Sequence, residues 1–411
     1  MQKRITQFVA LTASLLMLGS ATACTPEKKV AAAELSAAYT RQASESGEIT
    51  DAFKSAMANF SVELFKQTIT EDSENEVFSP LSAAMCLALI ANGADGETLA
   101  QLQALFGMDI DTLNRSLYAY ADSLYTSKDC SVSLANSVWV REGFPVKADF
   151  LQTNADWYGA QAYQAPFDTT TVDDINNWCD NKTNGKIKKV IETINYETVM
   201  YLINALDFDA KWNVEYEKTD ISDDVFYNYD ETQSEVKMLY SSESTYLSDD
   251  DAIGFLRPYK DKKYSFVGLL PNEGVDVYEY INALDGEAWQ ALWDSRSYAS
   301  VQARMPEFKY EADHDLTPIL QTLGVTDMFT KTADFSKMSD VTPLYCGFIK
   351  QKVFIQVDRE GTKAAAITIG GMDGEGAVSN DIYIVLDRPY VYAIVDNATG
   401  LPLFLGAVTN L

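Results

Sequence analysis

The sequence predicts an α+β fold, with mixed β-sheets and surrounding helices in one large domain. Three observations carry this reading. Phe53, Met57, Phe60, Leu64 and Phe65 recur at helical spacing. Residues 199–212 form a long apolar run with alternation, the pattern of a central strand. Runs at 382–386, 390–395 and 403–408 close the chain as further strands. The 411 residues suffice for a large core within a single domain.

Taken in order, the chain opens with Lys3 and Arg4, then an apolar run over 8–18, then Gly19-Ser20-Ala21-Thr22-Ala23-Cys24. This is the layout of a signal peptide over 1–23. Ala21 and Ala23 suit ordinary cleavage and free secretion. Cys24, directly after the small residues, resembles the bacterial lipoprotein box, in which the thiol carries diacylglycerol. Ala21 stands where leucine is more usual. A cell-surface lipoprotein anchored at Cys24 is the leading expectation, simple secretion the alternative. Residues 24–50 are polar and alanine-rich and read as a flexible tether. The domain then runs over 51–411. No other stretch is long and apolar enough to span a bilayer.

The first helix covers 53–68. Val77-Phe78 is strand-like, and Ser79 before Pro80 is an N-cap signal with proline at the first helical position. The helix that follows is apolar almost all round and therefore buried. Gly93 and Gly96 break it, and Thr98 restarts one. Residues 133–141 read as a strand, and 173–194 as a helix kinked near Asn184-Gly185. Residues 236–238, 256–259 and 266–271 read as strands of a second sheet, and 301–310 as a strand pair. Residues 316–329 give a short helix and turn, and 352–358 a strand.

Composition narrows the function. The net charge of -28 becomes -30 once the two basic residues of 1–23 are removed, so nucleic acid and anionic lipid are poor partners. Cys86, Cys130, Cys179 and Cys346 are widely spaced and read as buried free thiols, neither disulfides nor a metal site. One histidine, His314, reads as a surface residue at a helix start. A Ser-His-Asp or Cys-His pair depends on it, and no nucleophile elbow occurs. No phosphate-binding glycine motif appears either. The chain is read as a non-enzyme without cofactors.

The most distinctive stretch is 358–378, DREGTKAAAITIGGMDGEGAV. Thr362, Ala364, Ala366, Thr368 and Gly370 share one face of a period-2 strand, and all are small. No proline occurs from Asp358 to Arg388. The segment is built to enter a sheet. Its EGTKAAA resembles the hinge of the reactive-centre loop of serpins, the serine protease inhibitor family. Phe78-Ser79-Pro80-x-Ser82 with Gly93-Ala94-x-Gly96-x-Thr98-x-x-Gln101 resembles that family's second helix and its exit. TNGKIKKVI resembles the helix laid across the front of the main sheet, and Asn204-Ala205 with Trp212 the long third strand of that sheet. The resemblance covers about 51–411.

It implies a serpin fold: a large central sheet A with sheets B and C, about eight to nine helices, and an exposed loop at about 359–381. It also implies a mechanism. A protease serine attacks the loop and forms an acyl-enzyme, and the cleaved loop then inserts into sheet A as a new strand. About 15 residues at roughly 3.3 Å each give a strand of around 50 Å. At about 1 kcal/mol per ladder bond, with apolar burial, insertion releases on the order of 10 kcal/mol or more. The hinge residues carried over are Glu360, Gly361, Thr362, Lys363, Ala364, Ala365 and Ala366. Small inward positions Thr362, Ala364 and Ala366 favour an inhibitor, and Lys363 replaces the usual outward acid. Ser79, Asn204, Trp212 and Gln351 match the region beneath the sheet's opening. Gln351 stands where the family commonly has a histidine bonded to the asparagine matched by Asn204, and Ser79 is expected to join them.

Two counts place the scissile bond differently. Counting from Thr362 puts it after Glu375; counting back from Pro389 puts it after Val378. The candidates for the residue before the cut are Glu375, Gly376, Ala377 and Val378, with Met372 as an outsider. Ala377 or Val378 suits the small apolar pocket of elastase-like serine proteases. Glu375 suits a glutamyl-specific protease, and a cysteine protease is a further alternative. No Lys or Arg lies between Lys363 and Arg388, which argues against a trypsin-like target. A non-inhibitory serpin-fold binding protein is the rival reading. Residues 102–125 hold only Arg115 as a base, so no heparin-type cofactor is expected. The expected state is a monomer.

Overall fold

The computed structural model describes residues 27–41, 47–69, 75–124, 126–362 and 381–411. The signal peptide, Cys24, the hinge from Lys363 to Ala366, and the scissile candidates Glu375, Gly376, Ala377 and Val378 lie outside the described residues.

Among the described residues there are sixteen strands, nine α-helices and four short 3₁₀ helices. In the first half these are β1 (Ala33–Glu34), α1 (Asp51–Thr68), β2 (Glu76–Phe78), α2 (Pro80–Ala91), α3 (Gly96–Phe106), α4 (Ile110–Ser123), β3 (Cys130–Arg141), α5 (Ala148–Tyr158), β4 (Gln161–Ala165), α6 (Thr169–Lys182) and β5 (Met200–Lys211). The second half holds β6 (Ile221–Tyr227), β7 (Gln233–Ser248), β8 (Ala252–Pro258), β9 (Tyr264–Pro271), α7 (Val277–Ala283), α8 (Gly286–Asp294), β10 (Ser297–Pro306), β11 (Phe308–Asp315), α9 (Leu316–Thr322), β12 (Lys350–Val357), β13 (Gly361–Thr362), β14 (Ile382–Val385), β15 (Tyr390–Asp396) and β16 (Pro402–Val408). No helix among the described residues is long and apolar enough to cross a membrane.

The α+β architecture expected from the sequence is present. One sheet runs β1-β4-β3-β5-β13. A nine-stranded sheet runs β14-β10-β7-β8-β9-β15-β16-β2, with β6 beside β7. β11 and β12 pair only with each other, from Phe308↔Val357 to Asp315↔Lys350. The strands that precede the loop and the long β5 are therefore not joined: an opening separates them. α2 lies beneath it, against β5 and β16. Its start follows from Ser79, whose side chain accepts from the Ser82 amide, and from Pro80 at the first helical position. Eleven of its twelve residues are buried, as a helix apolar on all sides requires.

Two expectations are corrected here. The helix read over 173–194 ends at Lys182. Asn184 (φ 51°) and Gly185 (φ 82°) take left-handed backbone, which stops the helix, and residues 186–199 run on as irregular chain. The tether read over 24–50 is not free over 27–41. Ala31 and Ala32 amides donate to the two carboxylate oxygens of Asp174 on α6, at 2.7 and 2.8 Å. β1 adds to the edge of β4, and Asn181 bonds both the amide and the carbonyl of Lys28. The segment docks because α6 offers it a carboxylate and an amide, and because Val30 and Ala32 pack against the apolar cluster that holds Ile175 and Trp178.

Candidate functional site

The site is the opening between β5 and β12, together with the point above it where the chain leaves β12. Here Glu360 and Gly361-Thr362 turn back and pair antiparallel with the top of β5, Gly361↔Lys211 and Thr362↔Ala210. Gly361 has φ 153°, and a Cβ on it would lie 2.1 Å from the Ala210 carbonyl oxygen, so this close approach admits only glycine. Thr362 is 4 % exposed, and its hydroxyl is 2.7 Å from that of Tyr259. The first small residue of the hinge is thus already inside the sheet. Burial pushes the Tyr259 hydroxyl's pKa up, so it stays neutral and available for this bond.

Trp212 frames the entry. It is fully buried, stacks on Tyr259 with ring centroids 4.6 Å apart, and donates Nε1–H to the Asp358 carbonyl at 2.8 Å. Its amide donates to the Glu360 carbonyl at 3.1 Å. Behind it Arg257 lies over the Trp212 and Tyr216 rings, at 4.9 and 3.9 Å. Arg257 also pairs with Glu243 at 2.5 Å, and both side chains are buried. Burial raises the Glu243 carboxyl and Arg257 opposes it. The Arg257–Glu243 pair and Tyr259 were missed in the sequence. An arginine inside the apolar strand 252–258, followed by a tyrosine, was the available signal.

Below Thr362 the opening widens into a cavity of about 700 Å³, lined by Ser79, Asn204 and Gln351 among others. The expected Gln351–Asn204 bond is absent. Gln351 instead spends both ends of its amide on the Ser79 backbone, accepting from its N–H and donating to its C=O, each at 2.9 Å. The Ser79 hydroxyl donates to the Leu403 carbonyl. Asn204 donates to Asn136 at 2.7 Å, and its Oδ1 is buried without a partner. The reason is geometric: β5 and β12 stand apart, so Asn204 and Gln351 face each other across a gap.

His314 is not a surface residue. It lies on β11, directly across from Gln351, is buried, and bonds the Val77 carbonyl through Nε2 at 2.7 Å. Burial lowers its pKa, against the Val77 bond and the Asp313 charge, and Glu76 is 3.5 Å away. The unfolded chain therefore takes up the proton first. The stability supplied by the neutral ring is full above pH 6.5 and is lost as pH falls below it. Thermal melts at pH 7.5 and 5.5 are expected to show a steeper loss for the wild type than for His314→Gln; equal losses would remove His314 as the cause.

All four described cysteines are free. Burial pushes the Cys86 and Cys346 thiols up to about 12, so neither is a ready nucleophile. What the site offers is a sheet edge with no described strand against it below Thr362, an entry, and a small residue already through it.

Comparisons with known proteins agree. The profile of the family described as Serpin (serine protease inhibitor) matches residues 55–411. The leukocyte elastase inhibitor A of Mus musculus is 30% identical over 375 residues, covering 87% of this chain and 98% of that protein. The native state of a thermophilic serpin, tengpin, superposes with a TM-score of 0.88 at 42% identity, covering 92% of this chain and 100% of that one. Its latent state gives 0.81 at 41% identity, covering 89% and 100%.

Proposed function

We propose, from the premise that this chain belongs to the serpin family of serine protease inhibitors, that it traps its protease covalently as a suicide substrate. Protease inhibition in general is what the family supports; the trapping and the target are our reading. One observation carries it: Thr362 already pairs with β5, and among the described residues no strand pairs with the sheet edge below it. The protease serine oxygen attacks the scissile carbonyl, the C–N bond breaks, and the new amine leaves with the C-terminal piece. An ester then joins the loop to the protease. Water hydrolyses it unless the loop strand enters between β5 and β12 first and carries the protease away from its productive geometry.

The favoured target is an elastase-like serine protease. Ala377 and Val378 are small and apolar, and a mouse relative is named for inhibiting leukocyte elastase. Glu375 keeps a glutamyl-specific protease as the alternative. Neutrophil and pancreatic elastase are to be titrated with the chain lacking residues 1–24. Loss of activity near a 1:1 ratio, with a complex that survives SDS, is expected. Cleavage of the whole pool with full protease activity, by these and by a panel of other proteases, would establish a non-inhibitory serpin. Sequencing the released fragment identifies the bond; a cut after Glu375 would overturn the elastase reading.

We place the protein outside the cytoplasm, held to the membrane by lipid on Cys24. Labelling with radioactive palmitate, lost in Cys24→Ala, tests this; a label-free, secreted wild type would contradict it.

A further inference from the structure

We infer that Lys186 is a latch on the sheet's opening: its ammonium occupies the hydrogen-bond position on β5 that an inserting strand must take, and so limits the insertion rate. This rests on the inhibitory reading above.

The argument starts from which way β5 points its backbone. The Lys211 amide bonds the Asp129 carbonyl, beside β3, whereas the Trp212 amide bonds the Glu360 carbonyl, beside β13. Backbone groups alternate along a strand, so those of residues 212, 210 and 208 face the open edge. The Ala210 carbonyl confirms this by lying against Gly361. Phe208 is the next such residue below the Thr362↔Ala210 pair. Its carbonyl is not free. It accepts from Lys186 Nζ at 3.1 Å.

Lys186 is held there firmly. Its ammonium pairs with Asp207 at 2.5 Å and reaches Asp209 at 3.4 Å. Its side chain is 6 % exposed and that of Asp207 is 2 % exposed. Asn184 donates to the other Asp207 oxygen at 2.8 Å. The left-handed turn at Asn184-Gly185, which ends α6, is what drops Lys186 onto this edge. Lys186, Phe208, Phe354, Gln356 and Thr362 line one small void between β5 and β12. The ammonium therefore stands between the two strands, directly below the hinge residue already inserted. A strand that continues past Thr362 must displace it from Phe208. Because the ion is buried among charges that need it, that displacement is slow.

The test measures insertion directly. The loop is cut with saturating pancreatic elastase, where the rate no longer depends on protease concentration, and tryptophan fluorescence is followed by stopped flow. Lys186→Met paired with Asp207→Asn keeps the stem and leaves no unpaired buried carboxylate. It is expected to insert at least about tenfold faster than the wild type. Lys186→Arg, which still donates to Phe208 and Asp207, is expected to stay within about twofold of the wild-type rate. A merely structural lysine would lower the melting temperature of the uncut double variant and leave its insertion rate unchanged. That outcome overturns the latch while leaving the inhibitor reading intact. A wild-type chain that gains no thermal stability on cutting would overturn the inhibitor reading, and the latch with it.

Discussion

Thr362→Arg is expected to convert the protein from an inhibitor into an ordinary substrate. Thr362 is buried against the Tyr259 hydroxyl. Below it lie Phe208, Phe354, Ile355 and Phe404, with the Lys186 ammonium and Gln356 beside them. A guanidinium placed there loses water without gaining a carboxylate, at a cost of several kcal/mol. At roughly 4 kcal/mol insertion slows by on the order of 10³. Hydrolysis of the acyl-enzyme then wins. The SDS-stable complex should vanish while the loop is cut as fast as before. Thr362→Ser, which keeps the hydroxyl and the size, should behave as the wild type. An arginine variant that still traps protease would show that the hinge residue need not be buried.

The second large effect concerns Arg257. Its pair with Glu243 is buried behind Trp212, and it also donates to the Val214 carbonyl at 2.6 Å. Arg257→Met leaves the Glu243 carboxylate in an apolar site without its cation. Breaking a buried pair on one side costs about 3–5 kcal/mol. Adding Glu243→Leu should recover most of that, because an apolar pair of similar volume replaces the ions. The pH dependence has a definite sign. Burial already raises Glu243, and the variant loses the arginine that opposes the rise. A carboxyl whose folded pKa is raised binds its proton more tightly when folded. The variant's deficit is therefore small at or below pH 4.5 and grows as pH rises through the folded pKa. Melting temperatures of wild type and variant at pH 4.5 and 7.5 measure it. A deficit that shrinks with rising pH would contradict the assignment.

What could be read from the chain was mostly local. β5 announces itself through alternation over twelve residues. The start of α2 is written in Ser79-Pro80, because capping involves only the residues beside it. Of the hinge, Glu360, Gly361 and Thr362 are described, and Gly361-Thr362 pair with the top of β5. Three features were not legible, and each depends on residues far apart in sequence. Gln351 chose the backbone of Ser79, 272 positions away, because the gap between β5 and β12 removed Asn204 from reach. His314 is flanked by acids in sequence, yet the pairing of β11 with β12 and the approach of Val77 bury it. Lys186 sits in a polar run that looks like solvated surface, and only the turn at Asn184-Gly185 brings it to Phe208. The end of α6 is hidden at the same turn, because Ile187, Val190, Ile191 and Ile194 continue a helical spacing that the left-handed backbone at Asn184 and Gly185 interrupts.

The central claim is that cutting the loop lets its strand complete the sheet between β5 and β12. The most direct measurement is the melting temperature of the chain before and after limited cleavage, with no protease bound. A gain on the order of 10 kcal/mol, at about 1.3 °C per kcal/mol for a domain of this size, corresponds to a rise of roughly 13 °C or more. The account expects that rise, and expects Thr362→Arg to show little of it. A cleaved wild type that melts at or below the temperature of the intact chain would mean that nothing enters the opening, and the account would fail.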